Sequence, residues 1–95
     1  MASVLFSPLT MRGLTLPNRI VVSPMCQYIS DNGSANDWHL MHLGSFSLGA
    51  AGLVMTEMTN VNPQGRISPK CAGMWSDDNE KALKRVYDFC RQYGV

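Results

Sequence analysis

The sequence lacks the features that mark several large classes of protein. Its 95 residues carry eight basic and seven acidic side chains, so no charge excess favours nucleic acid or an anionic membrane as a partner. The most apolar run, residues 48–55, is far shorter than the roughly 18 residues that a membrane-spanning helix needs. The chain opens without the basic and apolar regions of a signal peptide. We therefore predict a cytoplasmic protein without a nucleic-acid or membrane partner.

Cysteine is also scarce. Cys26, Cys71 and Cys90 are odd in number and form no C-x-x-C pair, which argues against a disulfide framework and against a zinc knuckle. His39 and His42 lie three residues apart on one face of a predicted helix, but no third ligand follows at a suitable spacing. Packing or capping is therefore the favoured role for both histidines. The sequence predicts reduced thiols and no metal site.

Strand patterns alternate with helix patterns along the rest of the chain. Two short apolar segments in residues 5–16 flank Gly13, which can supply the positive φ of a tight turn, and they predict a hairpin. Residues 19–23, RIVVS, predict a strand buried on both faces, and residues 53–61 predict a second strand. Residues 62–73 have the composition of a long polar loop.

Two helices are predicted between and after these strands. The first covers residues 38–52, with Asn36 or Asp37 as its cap and Gly52 as its end. The second begins after Ser76 and ends at Gly94. The apolar stripe of the first helix is predicted at Trp38, Met41, Ser45 and Leu48. That of the second helix is predicted at Ala82, Val86, Phe89 and Tyr93.

The order of elements is hairpin, strand, helix, strand, helix, which is typical of βαβ units with a parallel sheet. Two parallel strands alone leave the backbone groups of their outer edges unpaired. We therefore predict an α/β fold that comprises the first two βα units of a TIM (β/α)₈ barrel, preceded by an N-terminal β-hairpin. Such barrels have about 250 residues, so the barrel is incomplete here and residues 1–95 are an N-terminal fragment of one domain.

Chemistry in such a barrel lies at the carboxyl ends of the strands. Residues 23–28 leave the first strand at that end, and residues 57–60 leave the second beside them. Seen as isolated residues, Cys26 is most simply a small buried side chain and Tyr28 an amphipathic residue at a rim. Glu57 has no carboxylate partner and is interpreted as structural, holding a nearby loop.

Five blocks, in this order, resemble one known family: LFSPLTMRGLTLPNRIVVSPMCQY, NDWHLMHLG, GAAGLVMTE, VNPQGRISP and GMWSDD. Together they resemble the old yellow enzymes, which are FMN-dependent ene reductases. The cysteine in SPMCQY is similar to that of the thermophilic-like branch, which includes xenobiotic reductases. The blocks span the whole chain but only the start of the family's barrel.

The resemblance implies roles for the residues at the end of the first strand. In the family, the thiol matching Cys26 lies near the reactive edge of the flavin and tunes its redox potential. The tyrosine matching Tyr28 faces the substrate. The position matching Met58 also touches flavin and is normally small, so Met58 departs from the family pattern. The segment that lies against the flavin ring corresponds to Ser23, Pro24, Met25 and Cys26.

The resemblance further implies FMN as cofactor, NAD(P)H as reductant, a small activated alkene as substrate and a homo-oligomer in the full-length form. The family's remaining substrate-holding, proton-donating and phosphate-binding residues come from later strands, so the 95-residue chain alone is expected to be inactive. A second interpretation is a truncated, non-catalytic relic, or a small assembly or binding piece without flavin, because its open sheet edges favour association over catalysis.

Overall fold

The computed structural model of the protein describes residues 3–95. Strand β1 (Leu9–Met11) pairs antiparallel with β2 (Leu14–Leu16), which confirms the predicted hairpin. The pairing of Met11 with Leu14 makes Arg12 the first residue of the turn, and Arg12 takes the left-handed conformation with φ of 55°. The prediction that Gly13 supplies the positive φ is wrong, because the strand register puts the reversal one residue earlier.

Strand β3 (Val21–Val22) pairs parallel with β4 (Leu53–Val54), and helix α1 (Asp37–Leu48) connects them. Asn36 is the N-cap, and its side chain accepts the backbone N–H of Trp38. The helix ends at Leu48, earlier than predicted, because the left-handed Ala50 (φ 64°) stops it before Gly52. This strand–helix–strand unit is the βαβ arrangement expected from the sequence.

Helix α1 does not bury the predicted stripe. Trp38, Met41, Ser45 and Leu48 are all exposed. The buried face lies on nearly the opposite side of the helix. There a glycine allows α2 to approach closely: a Cβ on Gly44 would lie 2.7 Å from Phe89 Cε1. Space at the helix contact, rather than the hydrophobicity of the stripe, thus decides which face packs. The buried residues of α1 are His39, Leu43, Gly44 and Ser47.

The second predicted strand, residues 53–61, is two separate strands. After β4 the pairing with β3 ends. The chain then forms β5 (Thr59–Asn60), which pairs parallel with β6 (Ala72–Gly73). The segment between them, predicted as loop throughout, contains a 3₁₀ turn at Pro63–Gly65. The β5–β6 pair was missed because two-residue strands leave no periodic pattern in the sequence.

Helix α2 (Asp77–Arg91) begins after its predicted N-cap, Ser76, whose hydroxyl accepts the Asn79 backbone N–H. It ends three residues before Gly94, so Tyr93 lies beyond the helix. The Tyr93 side chain is 46% exposed, but its ring packs against that of Phe89 with centroids 5.4 Å apart, so the two residues share a face as predicted. Val86 is buried as predicted, with 1% of its surface exposed. In the described range 3–95, no helix has the length and apolar character to cross a membrane.

Candidate functional site

The carboxyl ends of β3 and β4 lie side by side. The Met55 backbone N–H donates to the Val22 carbonyl at 3.1 Å, which is the last ladder bond before both strands end. From here the chain runs through residues 23–28, which we call the wall segment. Ser23, Pro24, Met25 and Tyr28 are exposed in it, and Cys26 is half-buried. The segment predicted to carry chemistry therefore stands at the strand end, as the sequence indicated.

The wall segment has no regular secondary structure. Within the described residues 3–95, the N–H donors of Ser23, Met25 and Cys26 have no backbone partner. They stand beside the apolar surfaces of Pro24 and Met25, and a flat aromatic cofactor with polar edge atoms fits such a combination.

Side chains from the N-cap and first turn of α1, together with Gln27 of the segment itself, form hydrogen bonds in and next to the wall segment. Trp38 Nε1 donates to Gln27 Oε1 at 2.8 Å, and Gln27 Nε2 donates to the Met25 carbonyl at 2.9 Å. Asn36 Nδ2 donates to the Ile29 carbonyl at 2.8 Å, just past the segment. The exposed Trp38, predicted to pack in the core, instead contributes its indole N–H to this surface network.

Tyr28 is held in a conformation that few side chains adopt. Its φ is 53°, in the left-handed region, and 49% of its surface is exposed. Such strained backbone is found where surrounding structure imposes it, often at binding sites. The neighbouring Cys26 thiol, followed by burial and then by Cys71 and Glu57, raises the pKa of the Tyr28 phenol above its ordinary value. Tyr28 is therefore protonated at neutral pH.

Met58 lies in the short link between β4 and β5 and is exposed. It stands four residues after β4 ends at Val54 and directly before β5, so the second strand ends earlier than the predicted residues 57–60. Met58 is 38% exposed and, like Met25 and Tyr28, presents part of its side chain to solvent.

Beneath the wall segment lies a buried polar cluster that sequence reasoning did not assemble. His39 Nε2 lies 3.5 Å from Glu57 Oε2 and 3.3 Å from Ser30 Oγ. The side chains of His39 and Glu57 are 4% and 8% exposed. One sequence signal pointed to His39. It lies three residues after Asn36, at the position where the side chain of a capping box bonds back to the backbone N–H of the N-cap residue.

The Asn36 backbone N–H donates to His39 Nδ1 at 3.0 Å, so Nδ1 is an acceptor and the neutral ring carries its proton on Nε2, facing Glu57. Burial, with a smaller effect of His42, lowers the pKa of His39. Burial likewise raises the pKa of Glu57, and a hydrogen bond from the Gln27 backbone opposes that change. The predicted capping role of His39 is confirmed.

The remaining candidates have structural roles. The His42 ring packs edge-on against Phe46, with centroids 5.1 Å apart, which confirms the packing role. Cys71 is only 2% exposed, and its sulfur accepts the Ser68 N–H at 3.3 Å, which lowers the pKa of the thiol. In the described part of the chain, no three potential ligand side chains cluster as a metal site would require.

The fold and the site define a partial α/β protein whose candidate site lies at the carboxyl ends of parallel strands, the arrangement that TIM-barrel enzymes use. The chain belongs to the NADH:flavin oxidoreductase / NADH oxidase family, whose family model matches residues 4–95. This is the family of the old yellow enzymes, so the resemblance found in the sequence is confirmed. The name of the family refers to a flavin and to NADH.

Two curated relatives show the extent of the match. An NADPH dehydrogenase of Geobacillus thermodenitrificans is 46% identical over 97 aligned residues, covering 100% of this chain and 28% of the relative. An NADH:flavin oxidoreductase of Gibberella zeae is 46% identical over 84 residues, covering 88% of this chain and 20% of the relative. The chain thus spans between 20% and 28% of the length of these relatives.

Solved structures agree with the family. Morphinone reductase in complex with tetrahydroNAD superposes with a TM-score of 0.86 at 28% identity, over 98% of this chain and 25% of that one. A 2-naphthoyl-CoA reductase, at 19% identity and a TM-score of 0.90, supports the fold alone; it is matched over 97% of this chain and 14% of its own. The structural neighbours are TIM-barrel old yellow enzymes, and this chain is a partial α/β piece of that architecture.

Proposed function

We propose that the protein containing this chain is an FMN-dependent ene reductase, which uses NAD(P)H to reduce the activated C=C bond of α,β-unsaturated carbonyl compounds. The wall segment is the observation that carries the proposal. It combines available backbone N–H donors with an exposed apolar surface at a strand end. A flavin ring calls for both, because its faces pack on apolar groups while its edge atoms accept hydrogen bonds.

In this proposal the residues of the wall segment have separate tasks. Pro24 and Met25 pack against the ring, and the amides of Ser23 and Cys26 donate to its edge. Bound here, FMN would supply hydride transfer from NAD(P)H to the β-carbon of the alkene, and a proton added at the α-carbon would complete the product. The Cys26 thiol is a weak donor whose strength responds to the charge on the ring.

Tyr28 is proposed to contact the substrate. The phenol is exposed and protonated at neutral pH, so it can donate a hydrogen bond to a carbonyl oxygen. Its left-handed backbone fixes where the ring stands at the edge of the site. Met58 is proposed to touch the flavin through its backbone, with its side chain turned away from the ring.

The full-length gene product provides the test. After purification and reconstitution with FMN, it should retain flavin, and NADPH added without oxygen should bleach the flavin absorption. Adding an enone should restore the colour. In Tyr28→Phe we expect kcat/KM for the enone to fall about tenfold, which corresponds to one lost hydrogen bond. Tyr87→Phe, on the exposed face of α2, is the matched control and should be unaffected.

A full-length product that binds no flavin would contradict the proposal. The other candidate function is a non-catalytic piece that assembles with a partner. Large exposed apolar side chains, such as Val61 at 81% and Ile67 at 71%, favour it, together with the unpaired outer edges of the short sheets. The affinity of the 95-residue chain for FMN separates the two: tight binding would exclude the non-catalytic piece. We expect none, because the resemblance implies that the family's phosphate-binding residues come from later strands.

A further inference from the structure

Tyr28 lies between two residues that are hydrogen-bonded to the start of α1. On one side, the Gln27 side-chain oxygen accepts the indole N–H of Trp38, in the first turn of the helix, at 2.8 Å. On the other side, the Ile29 carbonyl accepts from the side-chain amide of the N-cap, Asn36, also at 2.8 Å. The start of the helix therefore contacts the chain directly before and directly after Tyr28.

The Trp38 indole determines which way the Gln27 amide points. An indole N–H only donates and a backbone carbonyl only accepts, so the amide oxygen must face Trp38 and the amide NH₂ must face the Met25 carbonyl. The second bond is present, because Gln27 Nε2 donates to the Met25 carbonyl at 2.9 Å. The Trp38 backbone N–H donates in turn to Asn36 Oδ1 at 3.0 Å. The helix cap, the indole and the amide thus form one chain of hydrogen bonds that ends in the wall segment.

The backbone of Tyr28 depends on support of this kind. Its φ of 53° is left-handed, a conformation that residues other than glycine keep only where the surrounding structure imposes it. Among residues 3–95, no backbone N–H of residues 23–29 donates to a backbone carbonyl, so no ladder imposes this conformation. Gln27, next to Tyr28, is half-buried, which shields its two hydrogen bonds in part from water.

We propose that Gln27 and Trp38 are a positioning pair: the Trp38 indole orients the Gln27 amide, and the amide holds the wall segment so that Tyr28 keeps its left-handed conformation and presents its phenol to the substrate. The inference rests on the proposed function, in which Tyr28 contacts the substrate carbonyl. Gln27 and Trp38 act through Tyr28 and make no contact with the substrate. Their effect on turnover should therefore vanish once the Tyr28 hydroxyl has been removed.

Three substitutions separate the two hydrogen bonds of the pair. Trp38→Phe keeps an aromatic ring but removes the indole donor. Gln27→Met keeps the length of the side chain and removes both bonds. Gln27→Glu keeps the acceptor for the indole but, as a carboxylate, has no donor for the Met25 carbonyl. Gln92→Met, exposed at the end of α2, is the matched control.

The first readout is the solvent exchange of the Trp38 indole N–H in the flavin-free, full-length gene product. Nuclear magnetic resonance of protein with isotope-labelled tryptophan measures the rate, and the signal that is lost in Trp38→Phe is assigned to Trp38. We expect exchange about fivefold faster in Gln27→Met, because a hydrogen bond is lost, and within about twofold of the wild type in Gln27→Glu and Gln92→Met. Unchanged exchange in Gln27→Met overturns the proposal.

The second readout is kcat/KM for an enone in the FMN-loaded protein. We expect a fall of about fivefold in Trp38→Phe, Gln27→Met and Gln27→Glu, and no change in Gln92→Met. The double variant Trp38→Phe with Tyr28→Phe should match Tyr28→Phe alone within about twofold, because residues that act as a unit are not additive. A packing role for Trp38 would instead lower kcat/KM in both backgrounds.

Effects of Trp38→Phe and Tyr28→Phe that multiply in the double variant overturn the proposal, since Trp38 would then act independently of the phenol. An unaltered kcat/KM in Gln27→Glu also overturns it, because the bond to the Met25 carbonyl would be irrelevant. A full-length protein that binds no flavin contradicts the proposed function instead, and the indole exchange still decides whether Gln27 and Trp38 form the pair.

Discussion

Asn79 of α2 donates from its side-chain amide to the backbone carbonyl of Asn32 at 3.1 Å, although 47 residues separate them. The same amide reaches Ser34 Oγ at 2.9 Å, and Asn79 Oδ1 accepts the Trp75 N–H at 3.1 Å. With 1% of the residue exposed, water cannot replace these bonds. Asn79 therefore joins the second helix to the turn at residues 31–34, which follows the wall segment.

Replacing Asn79 by alanine leaves two backbone groups and a hydroxyl without their partner in a buried place. We expect Asn79→Ala to lower the free energy of unfolding of the full-length gene product by about 1–3 kcal/mol. Urea denaturation measures the change. Lys81→Ala, exposed on the same helix, should alter it by less than about 0.5 kcal/mol. Equal effects of the two substitutions would contradict the role given to Asn79.

Gly44 is required by the approach of α2. A Cβ at this position would lie 2.7 Å from Phe89 Cε1, which is closer than atoms in contact can come. We expect Gly44→Ala to destabilise the protein by about 1–3 kcal/mol, despite the better helix propensity of alanine. Gly13→Ala is the control, because nothing lies within 4 Å of its Cβ position. Thermal unfolding of both variants measures the effect: we expect a lower midpoint temperature for Gly44→Ala than for Gly13→Ala. A raised midpoint in Gly44→Ala would refute the close contact.

His39 and Glu57 give the stability of the protein a pH dependence of opposite signs. The pKa of His39 is lowered in the folded state, so below its ordinary value of about 6.5 the unfolded chain takes up the proton first and stability falls. The pKa of Glu57 is raised, so the folded protein binds that proton first and gains stability as the pH decreases. In Glu57→Gln only the histidine effect remains.

We therefore expect the unfolding free energy of Glu57→Gln to fall more steeply than that of the wild type as the pH decreases below about 6.5. Urea titrations at a series of pH values measure both slopes. In the double variant His39→Gln with Glu57→Gln, the additional slope should disappear. Identical slopes in the wild type and Glu57→Gln would show that Glu57 does not titrate as its burial requires.

Cys26 has a test that does not depend on flavin. Because the thiol is the largest cause of the raised pKa of Tyr28, Cys26→Ala should shift the phenol titration toward its ordinary value of about 10. Subtracting the ultraviolet absorption of Tyr28→Phe from that of the protein under test isolates the titration of this phenol.

A second test of Cys26 uses the flavin-loaded protein, in which Cys26→Ala should change the reduction potential of the flavin and the turnover. Cys90→Ala, in the second helix, should change neither, and an unaltered potential in Cys26→Ala would leave Cys26 as a packing residue only.

Much of the local structure could be predicted because it depends on neighbours in sequence. The Ser76 cap, the hairpin and the strand that ends before Pro24 each follow from the conformational preferences of a few adjacent residues. The position of the wall segment at a strand end followed in the same way. Its residues were identified through the family resemblance, and their contacts with a cofactor stay a prediction.

Contacts between distant segments could not be predicted in this way. The buried face of α1 was misplaced because the space left by Gly44 under Phe89 exists only once α2 packs. The β5–β6 pair joins two-residue strands, too short for any pattern. Trp38 fits an apolar stripe in sequence, yet its indole N–H bonds Gln27 at the surface.

The sequence by itself determined the family, the order of elements and the place of the wall segment, because these depend on motifs and local propensity. Only the tertiary structure brought Glu57 to His39, and Asn79 to Asn32. The reason is physical: a buried polar group must find partners wherever the folded chain places them, and sequence spacing does not encode that place.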